Sequence, residues 1–196
     1  MFHTSAETGL GDPVLDSQAA FRGCLDALST PGTVITLGGG LHALPGLDPA
    51  AGTLLLSLLD QDTRLWLSPG AGGAQIATSL KFHTGCSFAA DPGEADFALV
   101  ARVHELPALE SFSAGSQDYP ERSATVVLQV PAIADSGWRL SGPGVRGEAR
   151  LSVPALGEAF FAQWGRNHAR FPRGVDLYFS CGERLCALPR TTRIAR

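Results

Sequence analysis

Four arginines stand within a short span of this sequence: Arg173, Arg184, Arg190 and Arg193. Thr191 and Thr192 separate the last two. A guanidinium offers a planar fork of N–H donors that meets a phosphate or a carboxylate with two hydrogen bonds. The threonine hydroxyls would add neutral donors. The four arginines are therefore the candidate residues for holding an anion or a partner's carboxylate. Arg190 follows Pro189, which stops a predicted strand, so it stands free of ladder constraints. Its structural alternative is an ion pair with Glu183 or Asp176 inside the same domain. The plain alternative for all four is solvated surface, the usual place of arginine.

Other reactive residue types do not assemble into a catalytic set. Lys81 is the only lysine, and pyridoxal-phosphate enzymes hold their cofactor as a lysine imine. Such an imine also needs a phosphate cup and an acid for the pyridine nitrogen. Asp60, Asp62 and Asp176 are candidates for the acid, and the sequence selects none of them. Lys81 falls near the end of a predicted helix, where a cation complements the dipole, and this is the stronger reading. Gly142-Pro143-Gly144-Val145-Arg146-Gly147 matches G-x-G-x-x-G. A dinucleotide loop must lead from a strand straight into a helix whose amides hold the pyrophosphate. Residues 148–153 lack helical periodicity and Pro143 removes an amide, so the run reads as a turn. Gly70-Ala71-Gly72-Gly73 lies between a predicted strand and a predicted helix, but Gln75 stands where a third glycine would be. It reads as a connection first and a phosphate loop second. His3, His42, His83, His104 and His168 show no HxH or HExxH spacing. Cys24, Cys86, Cys181 and Cys186 form no CxxC and read as reduced thiols of a cytosolic protein. No metal site is expected, and no G-x-S-x-G nucleophile is present.

The arginines must be positioned by the elements around them. Residues 175–180 alternate, with Val175, Leu177 and Phe179 on one face and Asp176, Tyr178 and Ser180 on the other, the period of a strand. Cys181-Gly182-Glu183 is a tight-turn signal, and residues 184–188 return as a second strand. Upstream, Asp16 or Ser17 caps a helix that places Phe21, Cys24, Leu25 and Leu28 on one face. A short strand spans 33–37. Asp48-Pro49 opens a leucine-rich helix that should be buried. Strands follow at 64–67, 86–89 and 96–100, with a helix at 74–81 between the first two. A weak helix spans 107–112, and 114–123 reads as a polar, mobile loop. Residues 125–130 are a nearly unbroken β run of the kind found in mid-sheet. A short strand at 138–140 and a helix at 155–166, with Leu156, Phe160, Phe161 and Trp164 on its apolar face, precede the closing hairpin. Interleaved helices and strands argue for one α/β domain over 1–196 with a mixed sheet between helical layers.

Composition sets the outer bounds. The chain has 196 residues, 44% of them hydrophobic. That length allows about two-thirds of the unfolded surface to be buried. Residues 1–138 carry 5 Lys and Arg against 15 Asp and Glu, and residues 139–196 carry 10 against 4. A basic C-terminal third on an acidic chain suits a local anion site or a protein interface, whereas a nucleic-acid binder is more often basic overall. No stretch approaches the ~20 apolar residues of a membrane span, and MFHTSAETGLGD lacks the basic start and apolar run of a secretory leader.

Five blocks carry a family resemblance: PVLDSQAAFRGCLDALSTPG at 13–32, LLSLLDQDTRLWLS at 55–68, SLKFHTG at 79–85, LSGPGV at 140–145 and FPRGVDLYFSCGERLCALPRTT at 171–192. In this order they resemble the H subunit of the bacterial carbon–phosphorus lyase system, the PhnH family of phosphonate breakdown. The resemblance implies a three-layer α/β/α fold like the large domain of pyridoxal-phosphate-dependent transferases, without use of that cofactor. It implies a cytoplasmic homodimer that assembles with the G, I and J subunits into the lyase core complex. With the ATP-binding L subunit, the G, H and I subunits of that family are associated with making ribose 1-methylphosphonate 5-triphosphate from MgATP and methylphosphonate. The I subunit is the expected seat of that chemistry, and the J subunit then cleaves the C–P bond. The H-like chain would supply interface and contacts to phosphonate or ATP phosphates. Two alternatives stand beside this: a free-standing pyridoxal-phosphate enzyme with Lys81 as the imine, and a phosphonate-binding sensor.

Overall fold

The computed structural model describes residues 9–196 apart from Gly40, Ala43, Pro45 and Gly72. The chain runs β1 (Gly9–Leu10), α1 (Pro13–Ser29), β2 (Ile35–Thr36), β3 (Leu41–His42), α2 (Pro49–Leu58), β4 (Arg64–Leu67), α3 (Ala74–Thr84) and β5 (Ser87–Phe88). It continues through β6 (Phe97–Val100), β7 (Thr125–Gln129), β8 (Ala134–Ser141), β9 (Arg150–Ser152), α4 (Glu158–Ala169), β10 (Asp176–Cys181), β11 (Arg184–Leu188) and β12 (Arg193–Ala195). Seven strands form the main sheet, in the order β2-β11-β10-β7-β6-β4-β5. From β5 to β10 every neighbouring pair is parallel, while β11 runs antiparallel to both β10 and β2. The protein is thus α/β with a mixed sheet, and the unbroken apolar run at β7 lies in mid-sheet.

The two faces of the sheet are sorted by the alternation of side chains along each strand. Leu65, Leu99, Val127, Tyr178, Leu185 and Ala187 pack with buried residues of α1, α2 and α3. Ala98, Val100, Val126, Leu128, Leu177, Phe179, Cys186 and Leu188 point the other way and pack with Phe160 and Trp164 of α4. The second layer is not helical throughout. α4 shares it with a separate three-stranded sheet, β12-β8-β9, which contributes Trp138, Leu140 and Leu151 to the same core. The short strand expected at 138–140 is the end of this longer β8. β9 and β12 have no counterpart among the sequence expectations.

Four helices differ in detail from their expected form, α3 by running on to Thr84 rather than ending at 81. α1 begins earlier, because the Asp12 carboxylate caps it, accepting from Val14 N and Leu15 N at 3.0 Å each, with proline at the first helical position. Its buried face is Ala20, Cys24 and Ala27, whereas Phe21 and Leu25 are about half exposed. Small residues let α1 lie close to the sheet, where Tyr178 Oη donates to Cys24 O at 2.9 Å. α4 begins three residues later than expected, because a turn after β9 (Leu156 N to Val153 O, 2.9 Å) occupies the preceding residues. The weak helix at 107–112 is a single 3-10 turn, Leu109–Ser111. α2 matches its expectation, with Pro49 at its start and Ala50 through Leu55 buried. The 114–123 segment is closed by a bridge between Ala114 and Ser123.

Candidate anion-binding site

The closing hairpin forms as its alternation predicts, with Leu177 opposite Leu188 and Cys181 opposite Arg184. That register separates the four arginines. Arg184 opens β11 beside the turn, exposed, while Arg190 and Arg193 follow its far end. Roughly 15 Å of extended strand lies between the two ends, so no single cluster holds all four. Arg173 is exposed in the turn between α4 and β10.

Arg190 is consumed by its own domain. Its Nη2 donates to Asp176 Oδ2 at 2.6 Å, and Nε donates to Oδ1 and Oδ2 at 3.1 and 3.2 Å. Nη1 donates to Pro120 O at 2.9 Å and Pro172 O at 3.3 Å, and the Arg190 amide donates to Asp176 Oδ1 at 2.7 Å. The two side chains are only 14% and 17% exposed. The internal pair with Asp176 is therefore the arrangement adopted, and the guanidinium has no fork left to offer an outside anion. Asp176, one of three candidate acids for a pyridine nitrogen, is occupied by the same pair.

Arg193 is held differently. Its Nε donates to His168 Nε2 at 3.0 Å. His168 Nδ1 lies 2.8 Å from Arg190 O. A carbonyl can only accept and a guanidinium N–H can only donate, so the network assigns His168 as the neutral imidazole with its proton on Nδ1. Arg193 also pairs through its backbone with Ser141 at the end of β8. Between α4 and this sheet opens a pocket of about 430 Å³, lined by Ser141, Gly142, Pro143, His168, Phe171, Thr191 and Arg193. Thr192 does not contribute its hydroxyl: the residue is fully buried, and its carbonyl accepts from Trp164 Nε1 at 2.9 Å, clamping the turn onto α4. The Gly142–Gly147 run is the β8–β9 connection, as a turn reading requires. A Cβ on Gly142 would come 2.8 Å from Thr191 O, which explains glycine where the two loops meet.

A second polar cluster lies at the opposite, C-terminal edge of the parallel strands, and the sequence did not single it out. Ser68 Oγ donates to Glu105 Oε2 at 2.5 Å and accepts from Ala101 N at 3.0 Å. Gly70 N donates to the same carboxylate oxygen at 3.1 Å. The Ser68 hydrogen bond holds the Glu105 carboxyl below the usual glutamate range, against the opposing effect of burial. Nearby, Ser180 Oγ donates to Asp48 Oδ2 at 3.0 Å, and Gln129 Oε1 accepts from Asp48 N at 2.6 Å. Asp48, Arg102, His104 and Gln129 are among the lining of a shallow cavity of about 420 Å³ there. Each of these bonds joins residues dozens of positions apart, so no local pattern could have signalled them.

The remaining candidates are dispersed. Lys81 is exposed in the last turn of α3, where its charge complements the helix dipole. The glycine-rich loop at 70–73 includes Gly72, and His3 belongs to the opening segment; both lie outside the described residues. Gly70 presents its amide to a carboxylate, which opposes phosphate binding at that position. The four cysteines are free thiols, and burial pushes Cys24 and Cys186 up to about 12. Among the described residues no group of three or more His, Cys, Asp or Glu side chains could hold a metal ion, and no helix is long and apolar enough to cross a membrane.

Fold and site together define an α/β protein with a mixed sheet and an open pocket beside α4 that is lined by Arg193 and by no acidic residue. The chain belongs to the PhnH family, described as bacterial phosphonate metabolism protein, whose family model matches residues 8–195. It is 34% identical over 187 residues to the alpha-D-ribose 1-methylphosphonate 5-triphosphate synthase subunit PhnH of Rhizobium meliloti (strain 1021), covering 94% of this chain and 93% of that protein. It is 32% identical over 178 residues to the putative C-P lyase subunit protein HtxG of Stutzerimonas stutzeri, covering 90% of this chain and 85% of that one.

Proposed function

We propose that this chain is a subunit of the carbon–phosphorus lyase core complex in phosphonate catabolism, acting with partner subunits in the formation of alpha-D-ribose 1-methylphosphonate 5-triphosphate from MgATP and methylphosphonate. The observation that carries this reading is the end-to-end likeness to a relative named as a subunit of that synthase. Its partners are a second copy of itself and the G, I and J subunits, in the cytoplasm where MgATP is found. Arg173 and Arg184, both exposed, are the arginines available to a partner's carboxylate. The chain acts as one domain over 1–196, and its sheet, with one strand opposed to the rest, accords with a likeness to the large domain of pyridoxal-phosphate-dependent transferases.

The test is genetic and biochemical together. A strain lacking this chain should fail to grow on methylphosphonate as sole phosphorus source, and the tagged chain should retain the G, I and J subunits in a pull-down. Normal growth of the deletion strain would overturn the proposal.

A further inference from the structure

We propose that the pocket between α4 and the β8–β9 turn binds a phosphate- or phosphonate-bearing small molecule, with Arg193 as its anchor and His168 as the residue that positions Arg193. The proposal deepens the phosphonate reading by placing the anion at one site, and it rests on that reading only for the choice of methylphosphonate as a probe.

Charge is the first support. Arg64, Arg102, Arg166, Arg190 and Arg196 each face a carboxylate. Arg193, like the arginines outside those five pairs, has no carboxylate partner among the described residues; what distinguishes it is a fixed contact to the neutral ring of His168 beside a pocket. No acidic residue lines the pocket, and Asp176, at the adjoining strand end, is taken by Arg190. No carboxylate therefore lies within ion-pair distance of Arg193 among the described residues. Preorganisation is the second. The bond through Nε orients the guanidinium, and among the described residues Nη1 and Nη2 have no partner. They form the fork that meets two oxygens of one anion. A side chain already held in place loses less entropy on binding.

The walls indicate what else the ligand carries. Ser141 and Thr191 line the pocket, and their hydroxyls, which have no partner among the described residues, would supply donors for further oxygens. Phe171 is 61% exposed and offers an apolar wall for an organic substituent. The volume of about 430 Å³ falls in the ~300–1,000 Å³ range of small-molecule sites. The C-terminal end of α4 would repel an anion. Its last carbonyls, however, accept from Arg170 N and Phe171 N, which leaves Arg193 to set the local field.

The full-length chain, free of partners, is titrated with inorganic phosphate, methylphosphonate and acetate, following the Arg193 Nε–H resonance by NMR and the heat by calorimetry. Phosphate and methylphosphonate should bind saturably and shift that resonance, and acetate should bind at least about tenfold more weakly, having fewer acceptor oxygens. Arg193→Gln should weaken methylphosphonate about tenfold or more. Arg193→Lys, which keeps the charge but loses the fork, should fall between. His168→Gln should move the Nε–H resonance of the free protein and weaken binding less than Arg193→Gln does. Arg22→Gln, at an exposed arginine of α1 outside the pocket, should bind as the parent does. Equal affinity in the parent and both Arg193 variants, or no saturable binding of either phosphorus probe, would overturn the site. Acetate binding as tightly as phosphate would also overturn it, by marking a carboxylate-docking patch. Because no partner is present, a negative titration beside a positive pull-down would remove the pocket and leave the subunit assignment standing.

Discussion

Arg190 shows how an arginine can be structural while its neighbour stays available. Its guanidinium closes on Asp176 in a site where both side chains are mostly buried, and its spare donors satisfy the carbonyls of Pro120 and Pro172. Arg190→Ala strands that carboxylate and should cost about 3 kcal/mol, a fall in Tm of roughly 6–12 °C for a chain of this size. Thermal melts of Arg190→Ala, Asp176→Asn and the double variant check this. Additive losses would argue against a coupled pair. Glu105 carries a pH signature. Its folded pKa is depressed, chiefly by the Ser68 hydroxyl, so its contribution is present above the unfolded value and is lost as pH falls through the folded one. Between pH 7 and pH 3, Tm should fall further in the parent than in Glu105→Gln, and the gap between them should narrow toward acid. Parallel melting curves would exclude Glu105 as a source of acid sensitivity.

The β8–β9 connection is where one element's conformation is dictated by another. Gly144 has φ +77°, and a Cβ there would lie 2.0 Å from Ser29 O at the end of α1. Gly147 has φ +60°, with nothing within 4 Å of its added Cβ. Gly147→Ala should therefore cost only the left-handed conformation, about 1 kcal/mol. Gly144→Ala must also push the turn off α1, and should cost about 2 kcal/mol or more. Chemical denaturation of both variants distinguishes the two effects, and equal losses would mean that the close approach to Ser29 relaxes freely. The same turn continues into Gly142 and Pro143 on the pocket wall, so its packing against α1 helps to hold the wall that faces Arg193.

At the scale of the molecule, the outer face of α1 is the surface that asks for a partner. Val14, Phe21 and Leu25 are 68%, 47% and 49% exposed. At 100° per residue they fall on one stripe beside the buried Ala20, Cys24 and Ala27. A contiguous apolar stripe of this kind marks an interaction surface, and the proposed homodimer would cover it isologously. Leu25→Asp should convert the dimer to monomer in light scattering at micromolar concentration, with little change in the monomer's own stability because the side chain is half exposed. A parent chain that is monomeric throughout would remove the dimer. A Leu25→Asp dimer as tight as the parent's would move the interface elsewhere.

Much of this architecture was legible residue by residue, and the part that was not has one cause. Strict alternation identified the hairpin of β10 and β11, and an unbroken apolar run identified β7 as central, because strand period and two-sided burial leave a mark within a few residues. Five spaced blocks were enough to indicate the family. The face that α1 buries was not legible. Phe21, Cys24, Leu25 and Leu28 make a regular helical pattern, but Ala20, Cys24 and Ala27 fit better against the sheet, and only the facing surface chooses between them. Nor could the sequence say that Arg190 would meet Asp176 rather than Glu183, since both lie in the same hairpin and the register decides which is in reach. The pocket is the clearest case. Ser141 lay within a resemblance block and Arg193 among the candidate arginines, yet nothing local joins positions 52 apart; the antiparallel pairing of β8 with β12 does so. Periodicity and turn chemistry are short-range properties written in adjacent residues. Charge partners, covered faces and cavities are made by chain segments meeting in space, and tertiary packing alone determines which segments meet.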